Sequence, residues 1–75
     1  MEKLVARIWS DILHVENIGV HDNFFDLGGH SLLATQVVSR LVEATGVEIS
    51  LAQFFETPTV AGLSLLCEER LLHRL

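Results

Sequence analysis

The sequence predicts an all-α fold, a small four-helix bundle with three main helices and one short one. Three observations point there. Apolar residues return at helical spacing in three separate stretches, as they do on the buried face of a helix. Ser-x-x-Gln and Thr-Pro pairs stand where helices would start, and a glycine stands where one would stop. No alternating apolar and polar runs flank a tight turn, and there is no internal repeat or low-complexity tract.

The first helix is expected over about Glu2 to His14. Leu4, Ile8 and Ile12 recur every four residues with Val5, Trp9 and Leu13 beside them, while Lys3, Arg7, Ser10, Asp11 and His14 fall opposite. From Val15 to His30 the period is lost. This stretch holds the turn formers Gly19, Asp22, Asn23, Asp26, Gly28 and Gly29, yet also Ile18, Val20, Phe24, Phe25 and Leu27. So many apolar side chains predict a loop laid across the core, with Phe24, Phe25 and Leu27 as its anchors, and loops this long in compact domains are often functional.

Helical period returns from Ser31 to about Ala44, where Leu33, Val37 and Leu41 with Ala34 and Val38 make the apolar face and Gly46 supplies a C-terminal cap. Ser50 and Gln53 have capping-box spacing and predict a short helix that buries Leu51, Phe54 and Phe55. Thr57-Pro58 reads as an N-cap followed by proline at the first helical position. The last helix is expected from there to Arg70 or beyond, with Val60, Leu63, Leu66 and Cys67 facing inward.

Composition narrows the function. A chain of 75 residues makes one small domain, residues 1–75, too small for both a catalytic cleft and a substrate domain. Its 49% hydrophobic and 20% charged residues suit a packed core and exclude disorder. Ten acidic and five basic side chains give a formal charge of −5, and the basic residues Lys3, Arg7, Arg40, Arg70 and Arg74 are scattered. Nucleic acid is therefore an unsuitable partner, whereas basic patches on partner proteins would attract such a surface. No apolar run reaches membrane-spanning length, and the N-terminus lacks a signal-peptide core. The lone Cys67 allows no internal disulfide, which predicts a reducing, cytoplasmic setting.

The candidate site is Gly28-Gly29-His30-Ser31-Leu32. Ser31 falls where loop becomes helix, so an anion bonded to its hydroxyl would meet unpaired N–H groups and the positive end of the helix dipole. Serine is also a favoured N-cap, and on local grounds alone capping is the better explanation of Ser31. Leu32 projects onto the polar arc beside Gln36, Ser39 and Glu43, where an apolar side chain suits a contact with a partner.

Other chemistries fit poorly. His30 and Ser31 are sequence neighbours that diverge by about 100° on a helix and make a poor nucleophile–base pair. Leu33 stands where a G-x-S-x-G elbow needs glycine. His21, Asp22, Asp26 and His30 lack the alternating ligand spacing of a calcium loop, so no metal is expected. His14 and His73 read as solvated helix residues, and Cys67 as a small core residue.

The stretch Asp22-Asn-Phe-Phe-Asp-Leu-Gly-Gly-His-Ser-Leu-Leu-Ala34 resembles the attachment motif of peptidyl carrier (thiolation) domains of nonribosomal peptide synthetases. Leu4, Ile8 and Trp9, Phe54-Phe55-Glu56 and Thr57-Pro58-Thr59-Val60-Ala61 extend the likeness over the whole chain. The resemblance implies a bundle of the acyl carrier protein type with 4′-phosphopantetheine carried covalently on Ser31. It implies a phosphopantetheinyl transferase that adds the arm from coenzyme A, and adenylation, condensation and thioesterase domains as partners. It also implies that the chain does no catalysis of its own, and an isolated copy is expected to be monomeric. His30 and Leu32, flanking the serine, are the candidate docking residues. His30 favours a peptidyl carrier over an acyl carrier of a polyketide or fatty-acid pathway, where aspartate usually precedes the serine. A non-carrier helical interaction module is the further alternative.

Overall fold

The computed structural model describes residues 1–72. Four helices follow one another: α1 (Glu2–Leu13), α2 (Ser31–Thr45), α3 (Leu51–Glu56) and α4 (Val60–Leu72). No strand occurs among the described residues; one isolated antiparallel bridge joins Asn23 to Thr59. The expected all-α bundle of three long helices and one short one is what forms. His73 lies outside the described residues.

Helices α1 and α2 each end for a local reason. His14 takes a left-handed conformation (φ 56°, ψ 42°) after α1, and its N–H donates to Ser10 O. Gly46 does the same after α2 (φ 75°) and donates to Val42 O, fulfilling its expected role as a cap. The Ser50–Gln53 capping box forms in full. Gln53 N–H donates to Ser50 Oγ at 3.1 Å, and Ser50 N–H donates to Gln53 Oε1 at 3.0 Å.

The start of α4 differs from expectation. The helix begins at Val60, two residues beyond Pro58. Thr57 closes α3 instead, and Thr59 acts as the cap, its Oγ1 accepting from Gly62 N–H at 3.0 Å. Pro58 O accepts from Phe24 N–H at 2.8 Å, and Val20 O accepts from Ala61 N–H at 2.9 Å. Tertiary contacts hold residues 57–59 out of the helix, overriding the Thr-Pro signal for a helix start.

Val5, Ile8 and Trp9 of α1 meet Ala34, Val37 and Leu41 of α2 and Val60, Leu63 and Cys67 of α4 in one core. Phe24, Val47, Ile49 and Phe54 complete it. Leu4, Ile12, Leu13, Leu33, Val38 and Leu66 pack around its edge, half-buried. For Leu66 this revises the expected inward position: α4 turns Val60, Leu63, Ser64 and Cys67 inside. Its outer arc is apolar too, so the sequence period alone could not select the buried face. Two further expectations fail on α3. Leu51 and Phe55 are exposed at 37% and 45%, and Phe54 alone goes in. A six-residue helix has one narrow inner face, and Phe55, about 100° from Phe54, leans outward against Phe25 at 5.5 Å between ring centroids.

Residues 14–30 are well fixed. Phe24 is fully buried, its ring edge-on to Trp9 (5.0 Å) and Phe54 (4.9 Å). Phe25 and Leu27 are half-buried against the core, so all three expected anchors hold the loop. Asn23 Oδ1 accepts from Phe25 and Asp26 N–H, and Asp22 Oδ2 accepts from Gly19 N–H. These side chains make the turns that an aperiodic stretch needs.

Candidate functional site

The residues before α2 decide how its first turn is presented. Gly28 lies at φ 99°, a backbone region that L-residues rarely enter. Its N–H donates to Phe25 O, and Gly29 N–H donates to Phe24 O at 3.1 Å. His30 follows in an extended conformation (φ −148°, ψ 178°) and is the N-cap of α2.

Ser31 is therefore the first helical residue and not the cap. The capping explanation required the serine one position earlier, with its oxygen accepting from the first turn. The N-cap residue makes no side-chain capping bond, and none of the described hydrogen bonds uses Ser31 Oγ. Ser31 is exposed, and its carbonyl accepts from Thr35 Oγ1 at 3.0 Å. The hydroxyl stands in solvent, uncommitted to the fold.

The surroundings favour negative charge. The first intrahelical bond of α2 runs from Ala34 N–H to His30 O at 2.9 Å, so the N–H groups of Ser31, Leu32 and Leu33 precede the helical ladder. No acidic residue occupies that turn. Fifteen residues of aligned peptide dipoles stand behind it. An anionic phosphodiester on Ser31 Oγ would gain from both features.

Leu32 is 65% exposed, as its place on the polar arc predicts, and His30 is exposed beside Ser31. The structure thus brings the three expected residues together at one exposed helix start. Among the described residues no three His, Cys, Asp or Glu side chains converge as metal ligands. Cys67 is buried in α4, and that burial, with a contribution from Glu68, raises its thiol pKa while Arg70 opposes the shift.

Sequence reading placed Gly28 and Gly29 together as glycines that allow unusual backbone conformations and close approaches. In the structure they differ. A Cβ at Gly28 would meet open space, whereas a Cβ at Gly29 would run into the edge of the Phe24 ring. The Phe24 link to Pro58 also ties this segment to the α3–α4 junction. No local pattern reports a contact between residues 34 positions apart.

The family described as "Phosphopantetheine attachment site" matches residues 3–67. A linear gramicidin synthase protein of Brevibacillus parabrevis is 61% identical over 64 residues, which are 85% of this chain and 1% of that protein. The chain thus spans about a hundredth of this far larger relative. Among solved structures, a chain in the complex of the phosphopantetheine transferase Sfp with coenzyme A and a peptidyl carrier protein superposes with a TM-score of 0.90. It is 38% identical, with 92% of this chain and 90% of that one covered. The solution structure of PCP, described as a prototype for the peptidyl carrier domains of modular peptide synthetases, gives 0.82 at 39% identity, covering 89% and 88%. The chain belongs to the phosphopantetheine-attachment family, among its peptidyl carrier domains.

Proposed function

We propose that Ser31 is the residue that receives 4′-phosphopantetheine and that the domain holds aminoacyl or peptidyl groups on this arm as thioesters. One observation carries the assignment: an exposed serine hydroxyl, not used for capping, at the first position of α2 within the Gly-Gly-His-Ser-Leu motif. The site fits the arm. Ser31 Oγ provides the nucleophilic oxygen, unpaired first-turn N–H groups face an added phosphate, and no carboxylate lies in that turn.

Transfer forms one bond and breaks one. Ser31 Oγ bonds to the phosphorus of the pantetheine phosphate in coenzyme A, and the P–O–P bridge opens. Adenosine 3′,5′-bisphosphate leaves, and the hydroxyl proton passes to a base of the transferase or to solvent. Once attached, the arm supplies a terminal thiol for thioester chemistry and a flexible tether that raises substrate concentration at each partner site. The carrier's own residues hold Ser31 out and present a surface around it; they do not catalyse.

The partners that follow from this reading are a phosphopantetheinyl transferase, an adenylation domain that loads the thiol, and condensation and thioesterase domains that unload it. His30 and Leu32 are the residues proposed to meet them. All 75 residues act as this one domain, a monomer when isolated. No described helix is long and apolar enough to cross a membrane, and the proposed setting is the cytoplasm, where coenzyme A is available and Cys67 stays reduced.

Incubation with coenzyme A and a phosphopantetheinyl transferase should add the mass of one arm to the wild-type chain and none to Ser31→Ala. An unchanged wild-type mass, or equal gain in both, contradicts the proposal.

A further inference from the structure

The backbone two residues before Ser31 rests on a single side chain. Gly29 lies outside the left-handed region, so a positive φ is not what calls for glycine there. What excludes a side chain there is contact. A Cβ would overlap Cδ2 and Cε2 of Phe24 and stand 2.8 Å from Phe24 O. Gly29 N–H donates to that same carbonyl. Phe24 is in turn fixed from other sides. Its N–H donates to Pro58 O at 2.8 Å, and its fully buried ring meets Trp9 and Phe54 edge-on.

We propose that Phe24 is a positioning residue for the transfer of phosphopantetheine: its ring and carbonyl form the seat of Gly29, and that seat sets where Ser31 Oγ and the first-turn N–H groups stand. The inference rests on Ser31 being the acceptor. Packed interiors transmit small displacements because they have few voids to absorb them. Only His30 separates the seated residue from Ser31. A reacting atom misplaced by about 1 Å can lose on the order of a hundredfold in rate.

The test is kcat and KM for transfer from coenzyme A by a phosphopantetheinyl transferase, on the full chain, for Phe24→Leu, Phe54→Leu, Gly29→Ala and the Phe24→Leu/Gly29→Ala double variant. Each is assayed below its unfolding transition. Both Phe→Leu changes truncate fully buried rings of the same cluster and so carry a comparable cost in core packing. They differ in that the ring atoms crowding Gly29 belong to Phe24.

Phe24→Leu should lower kcat about fivefold or more, with Phe54→Leu within about twofold of wild type. Gly29→Ala should lower kcat about tenfold. The double variant should lose less than the product of the two single losses, because the smaller side chain frees space for the added Cβ. Equal losses in the two Phe variants, unchanged kcat in Phe24→Leu, or strictly multiplicative losses in a folded double variant overturn the proposal. Should Gly29→Ala fail to fold, the pair of Phe variants decides alone. Ser31→Ala separates the two claims: continued transfer there removes the acceptor reading itself, whereas its loss leaves that reading standing when the Phe24 result is negative.

Discussion

Ser31 and Leu32 sit side by side in the first turn of α2 and face different tasks. The serine needs an oxygen that the fold does not use, and its place at the first helical position leaves Oγ free of capping. From sequence alone the cap and the first helical residue cannot be told apart, since they differ by a single step along the chain. The distinction came from the extended backbone of His30. Leu32 was easier to read: an apolar residue at a polar phase of the helix is exposed at 65%. Leu32→Ala should leave the melting temperature nearly unchanged, because little surface is buried there. It should raise the KM for the carrier in transferase assays; an unaltered KM and downstream transfer rate would exclude Leu32 from docking. Cys67 makes a second residue-scale prediction. It is the only cysteine, fully buried, with a raised pKa that keeps the thiol protonated at neutral pH. A thiol reagent should titrate almost nothing in the native unmodified chain and one group after denaturation. The modified chain should show one fast native thiol. Rapid native labelling before modification would contradict the burial of Cys67.

At the scale of elements, the three long helices follow from apolar period and the short one from the Ser50–Gln53 box, which was legible because both partners are local. The errors fall where a distant segment intervenes. Pro58 gives its carbonyl to Phe24 across the fold, which delays α4 to Val60. On α3 six residues are too few for a periodic pattern to separate Phe54 from Phe55. The α3–α4 junction also explains Gly62. In a helix, glycine to alanine ordinarily gains up to about 1 kcal/mol. Here a Cβ would collide with Thr57 Oγ1 and lie 3.0 Å from Thr59 Oγ1, the capping atom. Gly62→Ala should therefore lower the melting temperature despite its better propensity. A rise would show that the junction yields without cost.

For the molecule as a whole, size and charge were the most direct guides. A core built from four helices and a loop anchored by the buried Phe24 spends most of its apolar residues on holding together. Little remains for a cleft, and the chain presents a site instead of enclosing one. The long loop serves that presentation: Phe24 sits in the core while, five residues on, Gly29 brings the chain out to α2. That the loop crosses the core was visible in its phenylalanines; which backbone groups it binds was not, because the hydrogen bond from Phe24 N–H to Pro58 O leaves no trace in local composition. The chemistry at Ser31 was legible mainly through the length of the motif around it, since local physics favoured capping as the explanation.

The arm is assigned to one particular oxygen, and that can be read directly. Trypsin cleavage at Arg7 and Arg40 yields a peptide from Ile8 to Arg40 with four hydroxyl side chains, Ser10, Ser31, Thr35 and Ser39. Fragmentation of this peptide from the modified chain should locate the phosphopantetheine on Ser31 alone. An arm found on Ser10, Thr35 or Ser39, or on a peptide outside this segment, would contradict the assignment.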